Sequence, residues 1–245
     1  MGRQQVFDTV HAVEAARDLF WQLGYEAVSL TDLERATGLN RSSIYNAFGS
    51  KRGLFDVAVE NYLETIIRPR IAPLLDSSNS PSAATDALIR YFTALAETVA
   101  ALPADSPRQG CLLVTAAPGI AGHDETVRQV VADYHSELVG AFTAALERAG
   151  DAQAGEVQAG EASADGGQAD EAPAGEVQVA AAQDRQTHAD RPSDPKSVSR
   201  ARLLASLSVS AFALAKVDRG ESIVLLHTGA DFATEWTEAA HLQRF

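Results

Sequence analysis

Residues 41–46 bring Arg41, Ser42, Ser43, Tyr45 and Asn46 together in one short run, with Lys51 five residues further on. Side chains of these types donate hydrogen bonds to a polyanion and to base edges. Arg41 can donate in bidentate fashion to guanine and Asn46 can pair with adenine, while the three hydroxyls reach base edges or phosphate. Lys51 adds a point charge at the positive end of a helix, a natural seat for a backbone phosphate. Thr31, one short helix upstream, is a further candidate for the same surface. Between Arg35 and Phe55 the bases Arg35, Arg41, Lys51 and Arg52 face no acid at all, a local charge of +4. The net charge of −13 therefore does not exclude nucleic acid, because a polyanion responds to the patch it touches.

Other reactive types are sparse. Cys111 is the single cysteine, which excludes a disulfide framework and a multi-thiolate zinc site and leaves one thiol. The histidines (11, 123, 135, 188, 227 and 241) are scattered, and the twelve-residue steps from Cys111 to His123 to His135 match no metal-ligand motif. No metal or other cofactor is expected. A nucleophile elbow with a Ser-His-Asp order, a glycine-rich phosphate loop and paired-metal spacing are all missing, so no catalytic residue is assigned and an enzyme is not expected.

The elements that must position these residues read as helices. Nearly every segment has a period near 3.6 and none alternates strictly, so the class is all-α, with about nine helices. Val6, Val10, Val13, Phe20 and Leu23 line a first helix that Gly24 ends. Ser29 with Asp32 resembles a capping box opening a helix to Thr37, which Gly38 closes. Asn40 caps a third helix, about 41–47. Ser50 caps a fourth through Leu54, Phe55, Val59, Tyr62 and Ile66, which Pro69 and Pro73 are expected to stop. The turn at Gly38-Leu39-Asn40 gives a helix-turn-helix, with Leu33, Ala36, Leu39 and Ile44 packing its two helices together. Phe48 should be core.

Further on, Leu88, Phe92, Leu95, Val99 and Leu102 share one face, as do Val127, Val131, Tyr134, Leu138, Phe142 and Ala145 of a long helix from about Asp124. Phe92, Leu95, Val99, Cys111, Leu112, Tyr134, Leu138 and Phe142 are candidates to line a small-molecule cavity, or they fill a core; periodicity does not separate the two. Leu203, Leu207, Ser210, Leu214 and Val217 form a seam spaced four, three, four, three, and a last helix carries Ile223, Leu226, Ala230, Ala233 and Trp236. From Asp151 to Lys196 ten acids meet three bases, with three valines as the only large aliphatics, no aromatic residue and AGEVQ repeated at 154–158 and 174–178. That composition suggests a disordered insert at about 150–197. No run of eighteen apolar residues spans a bilayer and the start lacks a secretory pattern, so a cytoplasmic location without membrane contact is expected.

Residues 12–63, AARDLFWQLGYEAVSLTDLERATGLNRSSIYNAFGSKRGLFDVAVENYL above all, resemble the N-terminal domain of TetR/AcrR-family transcriptional regulators. The family's G-[YF]-x-x-[TSV]-[ST] turn is matched by Gly24-Tyr25 through Val28-Ser29. Its I-A-x-x-x-G-[VL] helix-turn-helix is matched by Leu33 through Gly38-Leu39. Its Y-x-x-F-x-[SD]-K signature is matched by Tyr45, Phe48, Ser50 and Lys51. Ala47 departs from the pattern, since many members carry histidine there. The resemblance implies a DNA-binding domain over 1–50 and a helical ligand-binding and dimerisation domain over 51–245. It implies a homodimer, most often a repressor, that binds double-stranded DNA at a palindromic operator and is released by a small-molecule effector. The last two helices, about 198–217 and 221–241, would form the dimer interface, with Ala205, Ser208, Ala211, Ala215, Gly229, Ala230 and Ala233 allowing close approach. Gly110-Cys111-Leu112 resembles one branch of the family in which some members sense electrophiles or oxidants. A thiol-based regulator, an activator and a partner-binding module docking through the acidic insert are the alternatives.

Overall fold

A computed structural model describes residues 2–103, 105–162 and 193–242, and every regular element among them is helical. In chain order these are α1 (Gly2–Leu23), α2 (Leu30–Thr37), α3 (Arg41–Phe48), α4 (Lys51–Tyr62), a π turn (Leu63–Ile67) and α5 (Arg68–Leu75). There follow α6 (Pro81–Ala101), α7 (Leu112–Ile120), α8 (Glu125–Ala162), α9 (Pro195–Leu214) and α10 (Arg219–Leu242). Since α4, the π turn and α5 form one uninterrupted run, the separate helices number nine among the described residues. The backbone of α8 continues to Ala162, twelve residues into the stretch whose composition suggests disorder. Alanine, glutamine and glutamate favour helix and no proline interrupts them. The remainder of that stretch up to residue 192 lies outside the described residues.

Helix α1 turns Ala12, Val13, Ala16, Phe20 and Trp21 inward, and Gly24 at φ +80° closes it through its amide on the Phe20 carbonyl. Val10 and Leu23, expected on the buried stripe, are about half exposed, because the helix buries a band around Ala16 and Phe20 rather than the stripe drawn through its largest aliphatics. Val6 lies outside the described side chains.

The two prolines do not stop the fourth helix. The wider π turn shifts the hydrogen-bond register by one residue, so Pro69 falls in the first turn of α5, where a missing N–H costs least. Pro73 sits two residues before the end, and its carbonyl accepts from Asn79 Nδ2 at 2.9 Å. Above the π turn lies Arg17, buried in α1, whose guanidinium donates to Asn61 Oδ1 at 2.8 Å and to Thr65 Oγ1 at 3.4 Å while holding Asp18 at 2.9 Å.

Helix α6 is the spine of the larger unit, packed between α8 and α10, with α9 crossing both. Phe92 and Phe142 stack at 5.5 Å, and Tyr91 meets Phe142 edge-on at 5.0 Å. The small residues of α9 and α10 serve this packing. Ala205, Ser208, Ala211, Ala215, Gly229, Ala230 and Ala233 are buried within the protomer, and a Cβ on Gly229 would come within 2.5 Å of the Phe92 ring. Their expected use against a second copy is corrected accordingly. The seam of Leu203, Leu207, Ser210, Leu214 and Val217 instead turns away from the core: Leu203 is 42% and Val217 82% exposed, and Val224 of α10 is 54% exposed. None of the described helices is long and apolar enough to cross a membrane.

Candidate nucleic-acid interface

Each short helix of the amino-terminal unit is started by a capping side chain, and α2 and α3 are closed by the backbone amides of Gly38 and Gly49. Ser29 Oγ accepts the Asp32 amide while the Asp32 carboxylate accepts the Ser29 amide and hydroxyl at 3.1 and 2.6 Å, a reciprocal box that starts α2. These bonds hold the Asp32 carboxyl below the usual carboxylate range. Gly38 at φ +71° ends α2, and Asn40 Oδ1 accepts the Ser43 amide at 2.9 Å to start α3. Glu34 Oε1 reaches across the turn to the Arg41 amide at 2.6 Å, so an acid of α2 sets the first turn of α3. Ser50 Oγ caps α4 through the Gly53 amide at 3.0 Å.

Leu33 and Ile44 are fully buried between the two helices, with Leu39 and Phe48 packed partly against them. Ala36 is exposed and does not contribute to that packing, because it lies one residue round from the stripe on which Leu33 and Thr37 sit. With Ile44 as the inward pole of α3, the side chains of Arg41, Ser42, Tyr45 and Asn46 turn outward. Ser43 is half-buried beside its cap, and Thr31 is exposed at the start of α2.

The cations of the acid-free run fare differently. Arg35 pairs with Asp32 at 3.3 Å, and Arg52 pairs with Asp56 at 2.7 Å and also with Asp124, acids that lie outside the run in sequence. Arg41 makes no ion pair among the described residues. Lys51 is half-buried with Nζ 4.3 Å above the Tyr25 ring, and burial pushes its ammonium below the usual lysine range against the opposing pull of Glu26. The linear count of +4 thus reduces to two cations, Arg41 and Lys51, whose charged groups make no ion pair among the described residues. The sequence assigns no role to Glu34 and marks Tyr25 only as part of the Gly24-Tyr25 turn, yet these two position the cations; the Glu34-to-Arg41 link crosses a turn, and no helical spacing marks it.

Three polar struts fix this unit to the rest. Arg108 donates to Asp18 Oδ2 at 2.9 and 3.2 Å, Arg52 bonds Asp124 at the head of α8, and Lys216 Nζ caps the end of α1 through the Trp21 and Gln22 carbonyls at 2.7 and 3.1 Å.

The candidate cavity residues Phe92, Leu95, Val99, Cys111, Leu112, Tyr134, Leu138 and Phe142 are all buried. They pack as interior, and of them only Leu95 lines a cleft of about 790 Å³ between α5 and α6. The Cys111 thiol is fully buried and faces the phenols of Tyr62 and Tyr134, both pushed well above the usual tyrosine range by burial. The Tyr62 hydroxyl has no hydrogen-bond partner of full geometry, although Cys111 and the Leu112 amide are its nearest polar neighbours. His123 and His135 are exposed and far from forming a set with it: no group of three metal-ligating side chains occurs among the described residues.

Comparison with known proteins matches residues 12–58 to the model of bacterial regulatory proteins, tetR family. The chain is 32% identical over 151 residues to the uncharacterized HTH-type transcriptional regulator YezE of Bacillus subtilis, covering 62% of this chain and 74% of that one. It is 37% identical over 113 residues to the HTH-type transcriptional repressor ComR of Escherichia coli, covering 46% of this chain and 51% of ComR. Among solved structures, a cysteine mutant of the TetR family transcriptional regulator CifR complexed with 26-bp double-strand operator DNA aligns with a TM-score of 0.61 at 25% identity, over 91% of this chain and 94% of that one.

Proposed function

Because the chain belongs to the TetR family of bacterial regulatory proteins, and is a DNA-binding transcriptional regulator rather than an enzyme, we propose that it acts in the cytoplasm as a homodimeric repressor released from a palindromic operator by a small molecule. The observation that carries this reading is the outward face of α3. Arg41, Ser42, Tyr45 and Asn46 stand exposed on a helix capped at both ends, with the Arg41 guanidinium in no ion pair among the described residues and Lys51 at the next helix start. Ser43 and Thr31 complete the donor set of residues 1–50. Arg41 and Asn46 would read bases, and Lys51, Thr31 and the serines would hold phosphate.

Reading two half-sites needs two copies. The seam of Leu203, Leu207, Leu214 and Val217 with Val224 supports pairing through α9 and α10, since Leu203, Val217 and Val224 are exposed and Leu207 and Leu214 only half-buried among the described residues. Two readers held about 34–36 Å apart would enter successive major grooves. The run of α4, π turn and α5 joins the start of the reader's supporting helix to the cleft beside α6. A ligand that favours one position of α5 therefore shifts the spacing of the readers, and release follows from its unequal affinity for the two arrangements.

The test is a mobility-shift assay on the DNA flanking the chain's own gene, beside sedimentation of the purified protein. A dimer that retards the flanking fragment over bulk duplex is the expected result. A monomer that ignores every duplex at low ionic strength overturns the reading.

A further inference from the structure

The cleft between α5 and α6 lies within the volume range of small-molecule sites. Its apolar wall comes from Ala87, Tyr91 and Leu95 on α6, and its polar groups are unevenly committed. Asp76 is held by the Ser78 amide and hydroxyl at 2.9 and 2.6 Å. Arg70 on α5 and Arg90 on α6 make no ion pair among the described residues, although Asp86 stands one turn from Arg90. Asp76 and Asp86 balance the two arginines in formal charge, but neither guanidinium has an acid bonded to it among the described residues, which leaves both donors open to an anion beside an apolar wall.

Resting on the ligand-released reading above, we propose that the effector is an amphipathic organic carboxylate, its carboxylate bridged by Arg70 and Arg90 and its tail laid along Ala87, Tyr91 and Leu95. A planar guanidinium matches a carboxylate in bidentate geometry, and two of them from opposite walls draw α5 and α6 together when the anion binds. Arg70 is the stronger contributor because it is half-buried, while Arg90 is exposed and screened. Arg70 also faces inward: its charge opposes the upward push that burial gives the phenols of Tyr62, Tyr91 and Tyr134, so neutralising it with a bound anion reaches the core that α6 shares with α8.

The experiment is titration calorimetry of the full chain with butyrate, octanoate, dodecanoate and phenylacetate, with octanol and octylamine as the neutral and cationic controls. In parallel, a duplex selected from a random library is used in mobility shifts. At least one carboxylate should bind at least about tenfold more tightly than octanol, and octylamine least. Arg70→Gln should weaken it by about tenfold or more and Arg90→Gln by a smaller factor. Ala87→Trp, which fills the apolar wall one turn from Arg90, should abolish binding while circular dichroism shows the helical fold retained. Both arginines lie at the surface of the cleft, so folding is checked simply by circular dichroism. The inference is overturned if no carboxylate in the panel binds, if octanol binds as well, or if Arg70→Gln binds octanoate like the wild type, and none of these outcomes touches DNA binding. If a carboxylate binds with the arginine dependence but leaves the retarded duplex intact, the ligand-released reading is what fails.

Discussion

Gly53 provides a perturbation whose sign is fixed by geometry. It occupies the third position of α4, and a Cβ built there would sit 2.0 Å from the carbonyl oxygen of Phe48, the last residue of α3. Ordinary carbon–oxygen contact needs about 3.4 Å, so backbone must move by more than about 1 Å, and no flexible side chain can absorb it. Were the site an unobstructed helical position, Gly53→Ala would stabilise the protein by about 1 kcal/mol through helix propensity. The clash must first cancel that gain and then separate α3 from α4, which loosens the Ser50 cap and the burial of Ile44. Overpacking of this kind costs typically about 1–3 kcal/mol, and more where backbone meets backbone, so a net loss of about 2–4 kcal/mol is expected. For a chain of this size that lowers the melting temperature by roughly 5–15 °C. Differential scanning calorimetry measures the loss, and the mobility shift should weaken as the reader tilts. A melting temperature that stays level or rises would mean that α3 and α4 do not meet as described.

Arg41→Ala should cost about 1–3 kcal/mol per half-site and relax base preference, whereas Lys51→Ala should weaken all duplexes alike and make the salt slope shallower by about one per half-site, about two for the dimer; competition mobility shifts at several salt concentrations separate the two patterns. Wild-type affinity in both would remove these contacts from the interface. Tyr62→Phe deletes a buried hydroxyl that has no hydrogen bond of full geometry among the described residues and only Cys111 and the Leu112 amide beside it, so urea unfolding should show stability unchanged or raised by about 0.5–2 kcal/mol. A loss above about 1 kcal/mol would reveal a hydrogen bond from that phenol. For Asp32 the folded carboxyl is held below its unfolded range, chiefly by the Ser29 hydroxyl and then by the Ser29 amide. The folded state therefore binds that proton less readily, and the contribution is whole above the ordinary carboxylate range and fades as the pH falls through the lowered value. The stability gap between wild type and Asp32→Asn should accordingly be widest near neutrality and shrink as the pH falls below the ordinary carboxylate range. A gap that widens in acid would reverse the assignment.

The reader was legible because its signals are local: Ser29, Asn40 and Ser50 each cap the helix that follows, and Gly38 can adopt the left-handed turn that separates two of them. Nothing comparable marks the cleft. Helical periodicity says which stripe turns inward, and Phe92, Leu95, Val99, Tyr134, Leu138 and Phe142 do turn inward, but large inward side chains fill space rather than leave it. Apart from Leu95, the opening lies along residues outside that stripe, among them the small Ala87 and Ala94 and the charged Arg70 and Arg90. Charge was misjudged for a related reason. Counting along the chain treats Arg52 as a free cation, while folding brings Asp124, seventy-two residues away, onto it. Pro69 misled in the opposite direction, since its effect depends on hydrogen-bond register, and a single π turn upstream moved it to a position where proline is tolerated. The outward seam of α9 shows what remains when both faces of a helix are apolar. The four-three spacing found the large-residue face correctly but could not say that the alanines and Ser208 on the other face hold the protomer together. For that reason the aliphatic face, and not the small-residue one, is where the proposed second copy would have area to bury.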